Sequence, residues 1–401
     1  MRKNVLLILS SFLMITIVFT SCKKDTEELV VPVEDQIVQM QDGDVIPGEF
    51  IVVFNANDFS DKSFAVEKDY SKRQVIMKQE VSDFLSQNSI NYENVKNVYS
   101  KALFGFSGKF SNSEIESLKN NSEVSGIYPN RMVILRPPWE DPDPGDDPTQ
   151  QIPWGISRVN GGVDGTGLVA WIIDTGIDLD HPDLNVDASR GASFDPRAST
   201  PDDDNGHGSH CAGIIGAVDN EFGVVGVASN ATVIPVKVLN RRGSGAYDDI
   251  IAGVNFVALN GNSGDVANMS LGGSVYEPID QAIFNASESS GVKFVLAAGN
   301  ESDDANNHSP ARVNGSNIFT ISAMDVNDVF AYFSNYGNPP IDYCAPGVDI
   351  YSTYKKGGYA TMSGTSMAAP HAAGVLLLGN ARTDGSVIND PDGDPDPIIV
   401  H

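Results

Sequence analysis

The stretch GLVAWIIDTGID, residues 167–178, decides the fold class of this 401-residue chain. It is a short apolar run that ends at Asp174 and continues into a glycine turn. Segments of helical character, such as 247–260 and 278–290, lie between later runs of the same form. Strands that alternate with helices predict a parallel sheet covered on both faces, an α/β domain with three αβα layers. The later runs are TVIPVKVL (232–239), DVANMSLGG (265–273), VKFVLAAGN (292–300) and NIFTISAM (317–324).

Three residue types that serve nucleophilic catalysis occur at the ends of predicted elements. Asp174 ends a strand, His207 begins a predicted helix in DNGHGSHCAG (204–213), and Ser366 begins another in SGTSMAAPH (363–371). Ligand sites in parallel sheets lie at the carboxyl ends of the strands. A serine hydroxyl becomes a nucleophile when an imidazole takes its proton and a buried carboxylate orients that imidazole. The three residues therefore predict an Asp-His-Ser site.

Other residues compete for these roles. An aspartic peptidase would need two DTG carboxylates, and the chain has one DTG sequence. Spacing alone does not choose between His207 and His210, which would point about 60° apart on a helix. His371 and His181 are interpreted as structural.

The ordered set of motifs resembles the subtilisin-like serine peptidases, the subtilases. The resemblance covers roughly residues 150–380 and assigns the catalytic imidazole to His207. It implies a serine endopeptidase in which Asp174 orients, His207 is base and then acid, and Ser366 attacks. The motifs are DTGID (174–178), HPDL (181–184), NGHGSHCAGIIGA (205–217), GVVGVA (223–228), VKVL (236–239), GSGAYDDIIAGV (243–254), NMSLGG (268–273), AAGN (297–300) and GTSMAAPHAAGV (364–375).

An oxyanion hole and a substrate cleft are also implied. The side-chain amide of Asn300 and the backbone N–H of Ser366 would bind the oxyanion, at a helix N-terminus that favours negative charge. A protein or peptide substrate would dock as an added strand. The substrate-binding residues would be Gly243, Ser244 and Gly245 on one side, Ser270, Leu271 and Gly272 on the other, and Ala297, Ala298 and Gly299 in the first specificity pocket.

Residues 47–135 form a second predicted unit. Their pattern reads strand, helix, strand, strand, helix, strand, which is the order of a small α+β ferredoxin-like domain. Ser111 and Glu114 predict a capping box at the second helix. GEFIVVF (48–54), GFSGKFSNSEIESL (105–118) and VSGIYPNRMV (124–133) resemble the inhibitory propeptide of subtilases, which would be an intramolecular inhibitor.

The remaining segments are predicted to lie outside both folded domains. Residues 1–22 resemble a lipoprotein signal peptide with Cys22 as the lipidated residue, and an ordinary signal peptide is the alternative. Residues 23–46 are interpreted as an acidic tether, and 136–151 as an extended, exposed processing linker. The peptidase domain would span 152–383. Residues 384–401 are interpreted as a solvated acidic tail, because DPDGDPDP (390–397) lacks the downstream Glu of an EF-hand.

A structural calcium site is also expected, with an unfilled loop as the alternative. The spacing between His207 and Val224 is similar to that of subtilisins with a calcium loop. One carboxylate, two amides and three carbonyls suit Ca²⁺. The implied ligands are the side chains of Gln150, Asp183 and Asn220 and the carbonyls of Val218, Phe222 and Val224.

The charge balance limits the partners. The chain has 26 Lys and Arg against 53 Asp and Glu, a net charge of −27. This argues against nucleic acid or an anionic membrane surface, and leaves a lipid anchor as the route to a membrane. Cys211 and Cys344 are expected to be buried free thiols. We expect an exported, monomeric enzyme; the alternative is an inactive subtilase scaffold that acts as a surface binding lipoprotein.

Overall fold

The structure is a computed structural model that describes residues 40–56, 67–135, 139–143 and 149–401. The predicted signal peptide, the lipidation residue Cys22 and most of the predicted tether lie outside the described residues. Within the described residues, no helix is long and apolar enough to cross a membrane.

The N-terminal part of the described chain is a small α+β domain, which confirms the ferredoxin-like prediction. Its antiparallel sheet has the strand order β4-β1-β3-β2, and strand β11 (Ser244–Ala246) of the next domain extends it beside β4. The elements are β1 (Val45–Phe54), α1 (Tyr70–Gln87), β2 (Val95–Ser100), β3 (Phe104–Lys109), α2 (Asn112–Leu118) and β4 (Val124–Ile134).

Local sequence explains these elements. Ser111 accepts a hydrogen bond from the Glu114 N–H, and the Glu114 carboxylate accepts one from the Ser111 N–H, so the predicted capping box is present. Aromatic side chains fill the core between sheet and helices. Phe54 contacts Phe84 edge-on at 4.8 Å and also contacts Phe106.

The second domain is built on a nine-stranded sheet, ordered β20-β21-β17-β16-β14-β12-β7-β10-β8. All its pairs are parallel except that of β20 with β21. The helices are α3 (Trp154–Arg158), α4 (His207–Gly216), α5 (Tyr247–Asn260), α6 (Glu277–Ser290) and α7 (Thr365–Leu378). The strands are β5 (Trp139–Asp143), β6 (Val163–Asp164), β7 (Val169–Asp174), β8 (Ala192–Ser193), β9 (Ala228–Ser229), β10 (Thr232–Lys237), β11 (Ser244–Ala246), β12 (Val266–Met269), β13 (Gly273–Ser274), β14 (Lys293–Ala297), β15 (His308–Ser309), β16 (Ile318–Met324), β17 (Ile341–Pro346), β18 (Ile350–Tyr354), β19 (Gly358–Ser363), β20 (Arg382–Ser386) and β21 (Pro397–Val400).

Strand β7 shows why the domain has three layers. Ala170 and Ile172 point into the core shared with helices α4 and α7, whereas Trp171 and Ile173 point into the core shared with α5 and α6. All four residues are fully buried. A strand buried on both faces reads as a continuous apolar run, so the predicted three-layer α/β fold is confirmed.

The prediction of a solvated C-terminal tail is wrong. Residues 384–401 contain most of β20 and all of β21, and β21 pairs in parallel with β17 and antiparallel with the edge strand β20. Ile398, Ile399 and Val400 are buried. The apolar end of the chain completes the sheet, whereas the prediction weighed only the acidic residues before it.

Two predicted boundaries also need correction. Residues 43–46 are part of the folded domain and not of a tether, because Gly43 donates to the Met132 carbonyl at 2.9 Å and Met132 donates to the Asp44 carbonyl at 2.9 Å. Ile46, at the start of β1, is buried. Within the predicted linker, β5 is extended as expected, but it pairs with β19 and is therefore part of a sheet.

Replacing a buried tail residue should destabilise the protein. We expect Ile399→Ala, in a Ser366→Ala background that prevents self-digestion, to lower the free energy of unfolding by about 2–5 kcal/mol, since it opens a cavity in the main core. Ile388→Ala, at a half-exposed tail position, should change it by about 0.5 kcal/mol or less. Urea unfolding followed by circular dichroism measures both, and equal small losses would contradict the buried strand.

Candidate active site

Three elements bring the predicted catalytic residues to the carboxyl end of the parallel strands. Asp174 is the last residue of β7, His207 the first of α4, and Ser366 the second of α7. The Nδ1 atom of His207 lies 2.9 and 3.0 Å from the two carboxylate oxygens of Asp174. This contact makes Nδ1 the protonated nitrogen and Nε2 the one that can accept a proton. The Ser366 hydroxyl, which is almost buried, donates to the Ser270 carbonyl at 3.2 Å.

Close backbone packing sets the position of His207. A Cβ atom on Gly208 would lie 2.1 Å from the Gly176 carbonyl oxygen, so only glycine lets α4 approach the turn after β7 this closely. The buried carboxylate of Asp203 fastens the same junction. It accepts hydrogen bonds from the N–H groups of Gly206 and Ser209 and from the Thr175 hydroxyl. Sequence reasoning missed Asp203, although its position three residues before Gly206 fits a capping role.

The predicted oxyanion residue Asn300 is held in a defined orientation. Its Oδ1 atom accepts from the Thr365 N–H at 2.9 Å and from the Thr365 hydroxyl at 3.0 Å. The amide nitrogen is therefore the atom that remains to donate into the cleft. Thr365 Oγ1 also accepts from the Gly299 N–H at 3.1 Å. Sequence reasoning missed Thr365 as the residue that positions Asn300, although its place directly before Ser366 was an available signal.

The Ser366 carbonyl has unusual partners for a helix. Pro370 lies four residues on and has no N–H, so the normal helical hydrogen bond is missing. The Ser270 hydroxyl donates to this carbonyl at 2.7 Å, and the Cys211 thiol donates at 3.4 Å. Both predicted thiols, Cys211 and Cys344, are free and buried. Burial raises the pKa of Cys211 well above its usual value, so it stays a neutral thiol beside the serine.

The other histidines mainly contact backbone groups. His210 Nε2 lies 3.0 Å from the carbonyls of Ile350 and Ala360, and burial lowers its pKa to about 3. His371 contacts the Met367 carbonyl, and burial lowers its pKa to about 4. His181 Nε2 contacts a backbone carbonyl, and its Nδ1 accepts a backbone N–H. These contacts agree with the structural interpretation of all three.

A cavity of about 240 Å³ joins the predicted cleft residues. It is bounded by the start of α7, the segment after β12 and the segment after β14. Its lining includes Ser366, Asn300, Ser270, Leu271, Gly272, Ala297, Ala298 and Gly299. The structure thus brings the predicted specificity pocket and one predicted substrate strand together with the serine.

The other predicted substrate strand is occupied by the chain itself. Strand β4 of the N-terminal domain pairs antiparallel with β11, with Ile134 opposite Ser244 and Val133 opposite Gly245. Beyond the strand, the Leu135 N–H donates to the Gly243 carbonyl at 2.9 Å. The end of the N-terminal domain therefore lies where the added strand of a substrate was expected.

A segment assigned to the tether also enters the cleft. The Asp42 carboxylate accepts from the Ile134 N–H at 3.0 Å, and both Gln41 and Asp42 line the cavity. A Cβ atom on Gly273 would lie 2.8 Å from an Asp42 carboxylate oxygen. Asp42 thus lies between the end of β4 and the segment that follows β12. Nothing in its local sequence pattern indicates this contact.

Charged groups hold the N-terminal domain on helix α5. The Lys96 ammonium lies 3.1 Å from the Asp248 carboxylate and 2.9 Å from that of Asp249. Burial, and then the neighbouring Asp248, raises the pKa of Asp249 to about 7. Asn255 Oδ1 accepts three backbone N–H groups from residues 100–102, at 2.8–3.1 Å. Both domains therefore supply the polar groups that this interface buries.

The expected calcium ligands also meet in space. The Gln150 amide donates to the Val218 carbonyl at 2.9 Å, and the Asn220 amide donates to Asp183 at 2.8 Å. The Val224 N–H donates to the second Asp183 oxygen at 2.9 Å. Phe222 joins the group through its N–H, which donates to Asn220 Oδ1 at 2.8 Å. Burial raises the pKa of Asp183 to about 6, although hydrogen bonds from Val224, Asn220 and Tyr359 oppose this shift. The donor set fits a hard cation.

Comparison with known proteins assigns each of the two domains to a family. The subtilase family profile matches residues 165–385, and the peptidase inhibitor I9 profile matches residues 37–136. Alkaline serine exoprotease A of Vibrio alginolyticus is 38% identical over 71% of this chain and 53% of its own length. A thermostable alkaline protease of Halalkalibacterium halodurans is 38% identical over 67% of this chain and 70% of its own length.

A solved structure supports the same placement. The crystal structure of a cold adapted subtilisin-like serine proteinase is similar to this protein, with 37% sequence identity and a TM-score of 0.54. The match covers 61% of this chain and 96% of that one. A buried Asp-His pair together with a nucleophilic serine recurs on several unrelated folds, so the match to the subtilase family is what decides the class of this protein. The chain belongs to the subtilase family and carries an inhibitor I9 domain before its catalytic domain.

Removal of the Asn300 amide should slow turnover. We expect Asn300→Ala to lower kcat roughly 100- to 1000-fold with little change in KM, the range known for the equivalent subtilisin asparagine, because the donor acts on the transition state. Steady-state hydrolysis of a chromogenic peptide anilide measures this. The control Asn314→Ala, at an exposed position, should match the parent, and a raised KM with unchanged kcat would argue against the oxyanion role.

Proposed function

We propose that this protein is a serine endopeptidase that is made as an autoinhibited zymogen. The observation that carries this proposal is the buried pair of Asp174 and His207, with Nδ1 2.9 Å from the carboxylate. Helix α4, which begins at His207, packs against helix α7, whose second residue is Ser366. A buried carboxylate that holds one imidazole tautomer serves a proton-transfer step. The inactive binding lipoprotein is the rival function, and no observed contact favours it.

The proposed reaction proceeds through an acyl-enzyme. Ser366 Oγ attacks the scissile carbonyl while His207 Nε2 takes its proton, and Asp174 stabilises the resulting imidazolium. The Ser366 N–H and the Asn300 amide stabilise the oxyanion. His207 then protonates the leaving amine, and water hydrolyses the acyl-enzyme by the same steps in reverse roles.

Autoinhibition follows from strand pairing. The end of β4 holds the β11 edge, and Asp42 reaches toward the opposite segment at Gly273. A substrate would need the same edge, so the two exclude each other. After release, an extended peptide would pair with Gly243, Ser244 and Gly245. We expect a broad apolar preference in the pocket of residues 297–299.

Self-processing tests the proposed function. We expect intact mass and N-terminal sequencing of the wild type to show a mature chain that begins within residues 136–151. Ser366→Ala should keep the N-terminal domain, because it lacks the nucleophile. If both proteins keep the full exported chain, a fluorophosphonate probe is added after limited trypsin treatment. Absence of labelling at Ser366 would then exclude the peptidase and favour the inactive scaffold.

The proposed export route ends in a lipid anchor. We infer from the signal-like residues 1–22 that Cys22 is lipidated in the cell envelope. A monomeric state is a separate part of the proposal. Because Cys22 precedes the inhibitor domain, cleavage within 136–151 would separate the peptidase from its anchor. Metabolic labelling with a fatty acid should mark the unprocessed chain and spare Cys22→Ala, and labelling of both would contradict the assignment.

We also propose that Ca²⁺ binds the loop around Asp183. The side chains of Gln150, Asp183 and Asn220 and the carbonyls of Val218, Phe222 and Val224 would hold it, and its role would be structural. Their mutual contacts, described above, support the proposal, and rotation of the two amides would present oxygens in place of nitrogens.

Calcium should therefore stabilise the protein through this loop. At about 100 times its Kd, a ligand adds about 2.7 kcal/mol, which is roughly 5–10 °C in Tm for a domain of this size. We expect calorimetry of Ser366→Ala to show such a rise over the value in chelator. Asp183→Asn should lose a corresponding part of it. Asp219→Asn removes the same charge from an exposed position in the loop and should keep the rise; equal effects of the two would contradict the site.

A further inference from the structure

The side chain of Lys237 is a buried cation that the reaction described above does not use. Lys237 is the last residue of β10, and it is the only lysine among the described residues that is fully buried. A buried ammonium is costly unless it is paired and hydrogen-bonded. An apolar side chain of similar size often fits such a position with no loss of stability. The contacts of this ammonium therefore indicate what it does.

Two contacts of the Lys237 ammonium differ in burial. It donates to the backbone carbonyl of Thr175 at 2.5 Å, and Thr175 is fully buried. It also donates to Asp204 Oδ1 at 2.7 Å, and the Asp204 side chain is 52% exposed. Asp204 thus supplies the counter-charge from the surface. The contact made in the interior is the one to Thr175, the residue directly after the catalytic Asp174.

The end of β10 holds the first two backbone carbonyls of the turn that begins at Asp174. Lys237 lies opposite Asp174 in the parallel pair of β10 and β7. The N–H groups of Val238 and Leu239 donate to the Asp174 carbonyl at 2.9 and 3.1 Å. The Lys237 ammonium then binds the next carbonyl, that of Thr175. Because a charged donor makes a stronger hydrogen bond than a neutral one, this contact restricts rotation of the turn.

Thr175 connects this turn to the catalytic pair. Its N–H donates to Asp174 Oδ1 at 2.7 Å, and the same oxygen lies 2.9 Å from His207 Nδ1. Its hydroxyl accepts a hydrogen bond from the Gly208 N–H at 2.9 Å, at the start of α4. A rotation of the Thr175 backbone would therefore move the carboxylate relative to the imidazole. The contact with Lys237 opposes that rotation.

We propose that Lys237 is a positioning residue for catalysis, because its ammonium fixes the Thr175 carbonyl and thereby keeps the Asp174 carboxylate aligned with His207 Nδ1. This role rests on the proposed peptidase function, in which that alignment selects the reactive tautomer of the imidazole. Lys237 is not among the residues that line the cleft cavity. Its loss should therefore lower kcat and leave KM nearly unchanged.

Steady-state kinetics of the processed enzyme test this role. Lys237→Met keeps most of the side-chain volume and removes the ammonium. We expect kcat to fall about 10- to 100-fold with little change in KM, since small displacements of catalytic groups have effects of up to this size. Hydrolysis of a chromogenic peptide anilide measures both constants, and titration with a fluorophosphonate counts the folded active sites. Parental kcat in Lys237→Met overturns the proposal.

Three matched variants separate positioning from a general loss of stability. Lys293→Met removes a lysine that also donates to a backbone carbonyl, that of Leu376 at 2.7 Å, but at the start of strand β14. It should keep parental kcat. Lys237→Arg keeps the charge and should recover most of the lost kcat, and a loss as large as that of Lys237→Met excludes the role of the ammonium. If Lys237→Met does not fold, Lys237→Gln replaces it, and parental kcat in that variant overturns the proposal.

A proton NMR signal gives a readout that does not depend on turnover. In the full chain with Ser366→Ala and ¹⁵N-labelled histidine, the His207 Nδ1–H that faces Asp174 should give a downfield signal, which Asp174→Asn identifies by its loss. We expect Lys237→Met to shift or broaden this signal while circular dichroism shows an intact fold, and Lys293→Met to leave it in place. An unchanged signal in Lys237→Met overturns the proposal, even if its Tm is lower. If the parent does not hydrolyse the anilide, the proposed function fails, and this signal still decides the alignment.

Discussion

The buried pairing of the Asp174 carboxylate with the His207 imidazole is the interaction on which the rest of the site depends. A charged group in the interior needs a partner, and the fold provides it by bringing the end of β7 against the start of α4. Glycine at 208 permits this approach, and the Asp203 carboxylate holds the two segments together. With the imidazole fixed, the adjacent helix α7 needs only to present its second residue, the serine, to the same sheet edge.

The free side of strand β11, which would bind substrate, holds the inhibitor domain in this structure. Strand β4 continues an antiparallel sheet onto β11, so one set of backbone hydrogen bonds both joins the two domains and blocks the cleft. Side chains reinforce this contact away from the catalytic residues. Lys96 from one domain forms ion pairs with Asp248 and Asp249 of the other. The Asn255 side chain accepts hydrogen bonds from the backbone N–H groups of residues 100–102. Inhibition and domain association therefore have a common structural origin.

Buried carboxylates recur in this acidic chain, and each needs compensation. An imidazole compensates Asp174, and a lysine from the N-terminal domain compensates Asp249. Hydrogen bonds from the Asn220 amide and the Val224 N–H stabilise the Asp183 carboxylate instead. Because the net charge is −27, the stability of this protein depends on where its cationic side chains lie, as well as on how well its core packs.

The sequence by itself determined the alternation of strands and helices, the positions of Asp174, His207 and Ser366 at element ends, and the ferredoxin-like order of the N-terminal domain. Local apolar periodicity, glycine turns and capping residues carry that information, so the α/β class could be predicted, whereas the cleft residues followed from the resemblance to subtilases. Only the tertiary structure decided that Asp42 enters the cleft, that Thr365 orients Asn300, and that the acidic tail ends in a buried strand. These contacts join residues far apart along the chain or depend on side-chain direction, and no local pattern of hydrophobicity or charge records which distant surface a segment will meet.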